Sequence, residues 1–302
     1  MTGDPHATAA FDARAGDLLA EVASRLAASA SARLDAELLV SHAFGRDRTW
    51  LHAHPDATLD DSGQRELDAW VSRRARGEPI AYIRGFKEWF GMRVQTDARA
   101  LIPRPETELL AESAIAEIAA RLVRDDRQVS VWDVATGSGA VVLALAARFH
   151  AALKLGRVRL VASDISPDAL ELAEENLAAH GFVGLVTLSA GNLLEAHQAV
   201  SDVLTANLPY VPSAEVATGA GSFAFEPHLA LDGGPDGLDI VRRLLAELPD
   251  RLAPGGVALL EVGAGQAAPV RSMAEGLPLR TAITLLTDLA GIERVVRISR
   301  LD

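Results

Sequence analysis

The sequence predicts an α/β fold: a doubly wound, mostly parallel sheet with an antiparallel strand at one edge, preceded by a small helical domain. Three observations predict it. From residue 129 onward, short apolar runs alternate with helical patterns, as in a parallel sheet with crossover helices. A glycine-rich stretch, ATGSG, joins the first apolar run to the first of those helices. Before them, residues 7–82 carry apolar residues at helical spacing.

In the helical part the spacing runs through Leu34, Leu38, Leu39, His42 and Ala43, and is repeated by Leu67, Trp70 and Val71. Breaks at His54-Pro55-Asp56 and Gly77-Glu78-Pro79 bound short units. FKEWFGMRVQTD then reads as a β-hairpin around Gly91. In LIPRPETELL the two prolines force extended backbone at Ile102 and Arg104, and Glu106 or Thr107 opens a helix to about Leu122. The expected organisation is a helical domain at 1–82, a rigid hairpin connector at 83–100 and an α/β domain at 101–302.

Within the α/β part, VSVWDV, RLVASD, LVTLSA, DVLTAN and VALLEVG are the expected strands. AVVLALAARF follows the first as a helix. After the second, Ser166 caps a helix with Pro167 in its first turn. A helix spans about 236–252, and Pro254-Gly255-Gly256 makes a turn before the fifth strand. TAITLLT and ERVVRIS, joined by Asp288 to Gly291, close the sheet.

Composition narrows the function. The chain has 302 residues, enough for two domains, and is 49% hydrophobic and 23% charged. It has no cysteine, which excludes disulfides and thiolate metal sites and fits a reducing compartment. Its eight histidines are scattered without metal-ligand spacing, so no metal is expected. The net charge of -12 argues against gripping a phosphate backbone. The cluster Arg73-Arg74-Ala75-Arg76 reads as a solvated helix face or a local basic groove. No apolar run reaches membrane-spanning length, and MTGDPHATAAFDARAG lacks a signal segment, so a cytoplasmic protein with no membrane association is expected.

The chemistry lies at strand ends. Asp133 to Gly139, DVATGSG, follows the first strand. Its glycines let backbone N–H groups approach a ligand at a positive helix end, though a tight turn without a ligand has the same form. Asp164 ends the second strand, where a carboxylate accepts both hydroxyls of a ribose or caps a turn. After the third strand, Asn192 can accept from an adenine amino group and Leu193 can cover the base; a polar turn is the other reading.

Asn207-Leu208-Pro209-Tyr210 follows the fourth strand, at the carboxyl edge where doubly wound sheets bind ligands. The Asn207 side-chain oxygen can accept one N–H of a planar NH2 group, and the Leu208 carbonyl the other. Pro209 keeps residue 208 extended, and Tyr210 offers a flat face. Two acceptors on one NH2 aim its nitrogen lone pair at an electrophile. A methyl sulfonium fits that role, whereas hydride transfer needs no such clamp. A proline turn with a buried tyrosine is the alternative.

These stretches, together with RLDAELLVSHAFGRDRTWL, RRARGEPIAYIRGFKEWFG, LIPRPETELL and FEPHLALDGGPDGLDIVRRLL, resemble the HemK/PrmC family over nearly the whole chain. LIPRPETE is the most family-specific block. The resemblance implies a Rossmann-like class I methyltransferase that methylates the glutamine side-chain amide of peptide-chain release factors. It implies S-adenosylmethionine as donor, leaving S-adenosylhomocysteine. It also implies cofactor contacts from Ala135, Thr136, Gly137, Ser138, Gly139, Asp164, Asn192 and Leu193, with Asn207 touching both ligands. Catalysis and substrate binding fall to Asn207, Leu208, Pro209 and Tyr210. The helical domain reads the protein partner, with no stable nucleic-acid binding and a monomeric enzyme expected.

Three positions depart from the family pattern: Ala135 replaces a glycine, Asn192 an acidic residue and Leu208 a proline. Two other functions share the residues. One is a methyltransferase for the exocyclic amine of adenine in RNA or DNA, which uses the same clamp. The other is a non-catalytic homologue that only binds the cofactor.

Overall fold

The structure, a computed structural model, describes residues 13–124 and 126–301; the start of the expected helical stretch, residues 7–12, lies outside them. The chain falls into two compact units, one up to Gly85 and one from Phe86.

The first unit contains β1 (Ala13–Arg14), α1 (Ala15–Arg25), α2 (Ala32–Ala43), α3 (Arg48–Ala53), β2 (Thr58–Leu59), α4 (Asp61–Ala75) and α5 (Ile80–Arg84). The two short strands pair antiparallel. Leu39, Leu67 and Val71 are buried as expected from the spacing, but Leu34 is 43% exposed. The inward face of α2 is instead Ala36, Leu39 and Val40, with Asp35 and Glu37 buried beside it. Ion pairs make that possible: Arg74 meets Asp35 at 2.8 Å and Arg48 meets Glu37 at 2.5 Å. Paired charges tolerate burial that lone ones do not.

The second unit opens with a hairpin, β3 (Phe86–Trp89) and β4 (Met92–Gln95). Its two-residue turn, Phe90 and Gly91, has positive φ at both positions (49° and 70°), matching the twist of the strands. Then follow α6 (Thr107–Arg124), β5 (Val129–Val134), α7 (Ala140–Arg148), α8 (His150–Lys154), β6 (Val158–Asp164), α9 (Pro167–Ala179), β7 (Val186–Ala190) and β8 (Ser201–Ala206). The rest is α10 (Ser213–Val216), α11 (Asp239–Glu247), β9 (Leu252–Glu261), α12 (Ala267–Glu275), β10 (Thr281–Thr287) and β11 (Glu293–Arg300).

The main sheet has the order β10-β11-β9-β8-β5-β6-β7. β9, β8, β5, β6 and β7 run parallel, and β11 is antiparallel to both β9 and β10. The fold class is thus the expected one, with the reversed strand one place in from the edge. Alternating side chains feed two cores: Val131, Val203 and Leu259 pack under α6 and α7, while Trp132, Leu204 and Leu260 pack under α11 and α12. Pro254-Gly255-Gly256 does not precede β9 but lies within it. Leu252 pairs with Ser201 and Val257 with Val203, so the intervening residues bulge out with Gly255 at φ 70°.

The chain leaves β5 toward β6 on one side and returns to β8 on the other. Val134 and Ala206 are opposite each other at this reversal. The segments after β5 and after β8 therefore emerge side by side, where open α/β sheets bind ligands. No helix among the described residues is long and apolar enough to cross a membrane.

Candidate active site

The turn after β5 is held from below by Asp133. It is 3% exposed; its Oδ2 accepts the Thr136 hydroxyl at 2.6 Å and its Oδ1 the Thr205 hydroxyl at 2.7 Å. Burial pushes its pKa up to about 6, against the pull of both hydroxyls. Ala135, Gly137 and Gly139 all have positive φ, at 56°, 56° and 78°. Gly139 starts α7 and faces α9: a Cβ there would lie 3.0 Å from the Cβ of Ala173. It does not line the cleft described below. Asn176 ties this turn to the hairpin, donating to the Ser138 carbonyl at 2.9 Å and accepting the Gln95 N–H at 2.7 Å.

Asp164 folds back over the same turn. Its Oδ2 accepts the Gly137 N–H and its Oδ1 the Ser166 N–H, each at 2.9 Å. Burial raises its pKa, and those backbone bonds oppose the rise. Leu193, after β7, is 8% exposed with φ 48°, a left-handed conformation unusual for leucine.

After β8, Asn207 donates Nδ2–H to the Thr107 hydroxyl at 3.1 Å. Leu208 is 3% exposed and belongs to the core that contains Trp132 and Leu204. Tyr210 is not on the cleft wall. Its hydroxyl points to Glu261 at 3.5 Å, and burial, then the nearby carboxylate, push its pKa up to about 12. The loop backbone is clamped from outside: Gln266 Nε2 donates to the Tyr210 carbonyl at 2.9 Å, and the Val211 N–H to the Leu231 carbonyl at 2.9 Å.

One cleft of about 210 Å³ gathers most of the residues expected from sequence. Ala135, Thr136, Gly137, Ser138, Asp164, Asn192, Leu193, Asn207, Leu208 and Pro209 all line it. Asp133, which the sequence offered only as the start of DVATGSG, lines it too, as do Thr107, Arg104, Ile240 and Arg243, which sequence reasoning missed. Thr107 and Arg104 sit in the quoted block LIPRPETE. A second quoted block meets it there: Arg104 pairs with the buried Glu226 at 2.5 Å, and the Ile102 N–H donates to the same carboxylate at 3.2 Å.

Comparison with known proteins decides the family. A release factor glutamine methyltransferase from Deinococcus radiodurans is 39% identical over 290 residues, covering 94% of this chain and 98% of that protein. The chain belongs to the release factor glutamine methyltransferase family. A second such protein, from Koribacter versatilis, is 38% identical over 269 residues, covering 88% of this chain and 90% of that one. Residues 17–85 match the PrmC N-terminal domain family. Among solved structures, the hMettl16 catalytic domain in complex with MAT2A 3'UTR hairpin 6 aligns with a TM-score of 0.52 at 13% identity, over 81% of this chain and 84% of that one. That likeness shows the shared fold.

Within this release factor glutamine methyltransferase family, the three departures of the present chain occupy distinct places. Ala135 carries a Cβ at positive φ, a strained state for alanine. Asn192 is on the cleft wall. The Leu208 side chain is buried in the core beside Trp132 and Leu204.

Proposed function

We propose that this chain transfers a methyl group from S-adenosylmethionine to the side-chain amide nitrogen of the glutamine in the Gly-Gly-Gln motif of peptide chain release factors. One observation carries the reading: Asn207 shares a single cleft with Asp164 and the 135–138 turn. An NH2 acceptor and a ribose-type acceptor thus face one space, and the family's named activity needs both.

The residues present fit the cofactor. Asp164 uses one lone pair of each oxygen on backbone N–H groups and keeps others for hydroxyl donors. Asn192 and Leu193 offer an acceptor and an apolar cover on the next strand end. When bound, the cofactor supplies an electrophilic methyl group on a sulfonium.

The chain's own residues do the positioning. An amide nitrogen is a poor nucleophile because its lone pair is delocalised. Thr107 takes the Nδ2–H of Asn207 and so leaves the Asn207 oxygen for a substrate N–H. Pro209 keeps residue 208 extended, so that its carbonyl accepts the second N–H. Holding the amide in line supplies most of the acceleration, and the proton leaves once the nitrogen has become acidic.

The organisation carried with this reading assigns 1–82 to recognition of the partner, 83–100 to the connector and 101–302 to transfer. The match of residues 17–85 to the PrmC N-terminal domain supports a separate helical module. A cytoplasmic monomer that does not hold nucleic acid stably is consistent with the net charge of -12.

The test is mass spectrometry of the tryptic peptide carrying Gly-Gly-Gln after incubation of a release factor with enzyme and cofactor. A single methyl on the glutamine is expected. Asn207→Ala is expected to slow transfer on the order of 10²-fold. Methylation of RNA but not of the release factor, or cofactor binding without turnover, would overturn the reading.

A further inference from the structure

Residues 100–106 form neither helix nor strand, yet this strap runs from one half of the site to the other. Where it begins, a Cβ on Gly137 of the 135–138 turn would lie 3.9 Å from the Ala100 Cβ. Where it meets α6, the Thr107 hydroxyl accepts the Asn207 Nδ2–H at 3.1 Å. Ala100, Leu101, Pro103, Arg104 and Thr107 all line the cleft. A segment without a ladder must find other partners for its backbone. Pro103 and Pro105 have no N–H and hold φ, so few soft angles remain.

The strap is pinned at its middle from two sides. On one, Trp89 of the hairpin donates Nε1–H to the Arg104 carbonyl at 2.8 Å, and that carbonyl also accepts the Thr107 N–H at 3.2 Å. On the other stands Glu226, whose side chain is wholly buried. Its Oε1 accepts from Arg104 Nη2 at 2.5 Å and its Oε2 accepts the Ile102 N–H at 3.2 Å. A buried ion pair is a poor source of stability, since apolar residues of similar volume often serve a fold as well or better. What a carboxylate supplies that they do not is direction: two oxygens fix two donors in place.

We infer that Glu226 is a positioning residue for methyl transfer: by fixing Ile102 and Arg104 it holds the strap, and with it Thr107 and the Asn207 amide, in register with the 135–138 turn. The inference rests on the function proposed above. Transfer needs the residues that hold the donor and those that hold the acceptor aligned, with the reacting atoms about 3–3.5 Å apart. The strap touches both sets. If Arg104 shifts, its carbonyl carries Thr107 with it, and Asn207 loses the partner that orients its amide. Asp164 and the 135–138 turn keep their own groups for the cofactor. The expected mark of a loosened strap is therefore a slower step at unchanged affinity.

The test uses the full chain. Glu226→Gln keeps an acceptor for the Ile102 N–H and gives up the charge that holds Arg104; Glu226→Ala gives up both bonds. With enzyme in excess and cofactor saturating, the single-turnover rate constant should fall about tenfold in Glu226→Gln and further in Glu226→Ala. That constant does not depend on the fraction of enzyme folded. Calorimetric affinity for S-adenosylhomocysteine and the enzyme concentration giving half the maximal rate should change less than about threefold. A second readout needs no substrate. In Glu226→Ala the peptide carrying Ile102 and Thr107 should exchange its amide hydrogens about tenfold or more faster, while peptides from β5 and β8 keep their protection. Parent rate constants in both variants, cofactor affinity lost in step with the rate, or an unchanged strap peptide would each overturn the inference. If neither variant folds, Arg104→Met with Glu226→Leu removes the pair together and leaves no buried charge alone. The same slow step at unchanged affinity is expected there, and a parent rate constant overturns the inference. A parent enzyme that leaves the release factor unmethylated overturns the proposed function alone, and the strap peptide still decides whether Glu226 holds the strap.

Discussion

Gly233 approaches the carbonyl oxygen of Pro209 so closely that a Cβ on it would stand 2.6 Å from that oxygen. The same Cβ would meet the Gly237 carbonyl at 2.6 Å. The segment LDGGPDG is therefore a mould for the Asn-Leu-Pro-Tyr backbone, and glycine is what lets the two chains touch. In Gly233→Ala the added methyl displaces Pro209 or is itself displaced. Methyl transfer is expected to fall on the order of 10²-fold while cofactor affinity holds. Single-turnover rates beside calorimetry with S-adenosylhomocysteine will read it. A parent rate in the variant means the loop has slack.

Ala135 is held at φ 56°, where a Cβ costs about 1–2 kcal/mol. Ala135→Gly relieves that strain but adds freedom to the unfolded chain, worth about 0.5–1 kcal/mol the other way. A net gain of about 0.5–1 kcal/mol and a higher Tm are expected by chemical and thermal unfolding. A lower Tm would show that contacts of the alanine methyl outweigh the strain.

Asp164→Ala removes the acceptor for any cofactor hydroxyl and for the Gly137 and Ser166 N–H groups together. A charge-assisted bond lost at such a site costs about 1.5–3 kcal/mol, roughly ten- to 150-fold in affinity. Asp164→Asn retains one acceptor oxygen and should lose less. Calorimetric titration of a folded Asp164→Ala with unchanged affinity would remove Asp164 from the cofactor site.

Two buried acids set a pH dependence of stability. Glu261 and Asp133 have pKa values raised to about 7 and about 6. Because folding raises both, their neutral forms favour the folded state at low pH. That contribution is fully present below the ordinary carboxylate range and is lost as pH rises through 6 to 7. For Glu261 it is on the order of 3 kcal/mol. Urea unfolding at pH 5 and pH 8 should show lower stability at pH 8, and Glu261→Gln should flatten the difference. Equal parent stability at both values would mean that the two groups are not neutral in the fold at pH 5.

The strand and helix order was legible because periodicity and turn residues report it locally. Ser166 accepts from the Ala169 N–H at 3.2 Å with Pro167 in the first turn, as its sequence position suggests. The glycine turn, Asp164 and Asn207 were legible because each ends a strand. What stayed hidden depends on distant partners. Leu34 lies outward because Arg48 and Arg74 let Glu37 and Asp35 turn inward, which spacing alone does not reveal. Tyr210 was read as a face for the substrate, yet its hydroxyl is drawn to Glu261, 51 residues on. Leu208 was read through its backbone alone, while its side chain fills the core. A proline there keeps the extended backbone but gives up part of that packing.

The place of β11 in the sheet has a temporal side. β9 is flanked on its outer side by β11, with Val295 opposite Glu261, and β11 spans Glu293–Arg300. During synthesis every cleft residue described above leaves the ribosome before that strand does. Until it arrives, β9 is an open edge and a template for stray strands, with one flank of Glu261 unpaired. A ribosome that stops early would release a chain holding the whole constellation but an unfinished sheet. Competence is thus withheld until β11 itself has been translated.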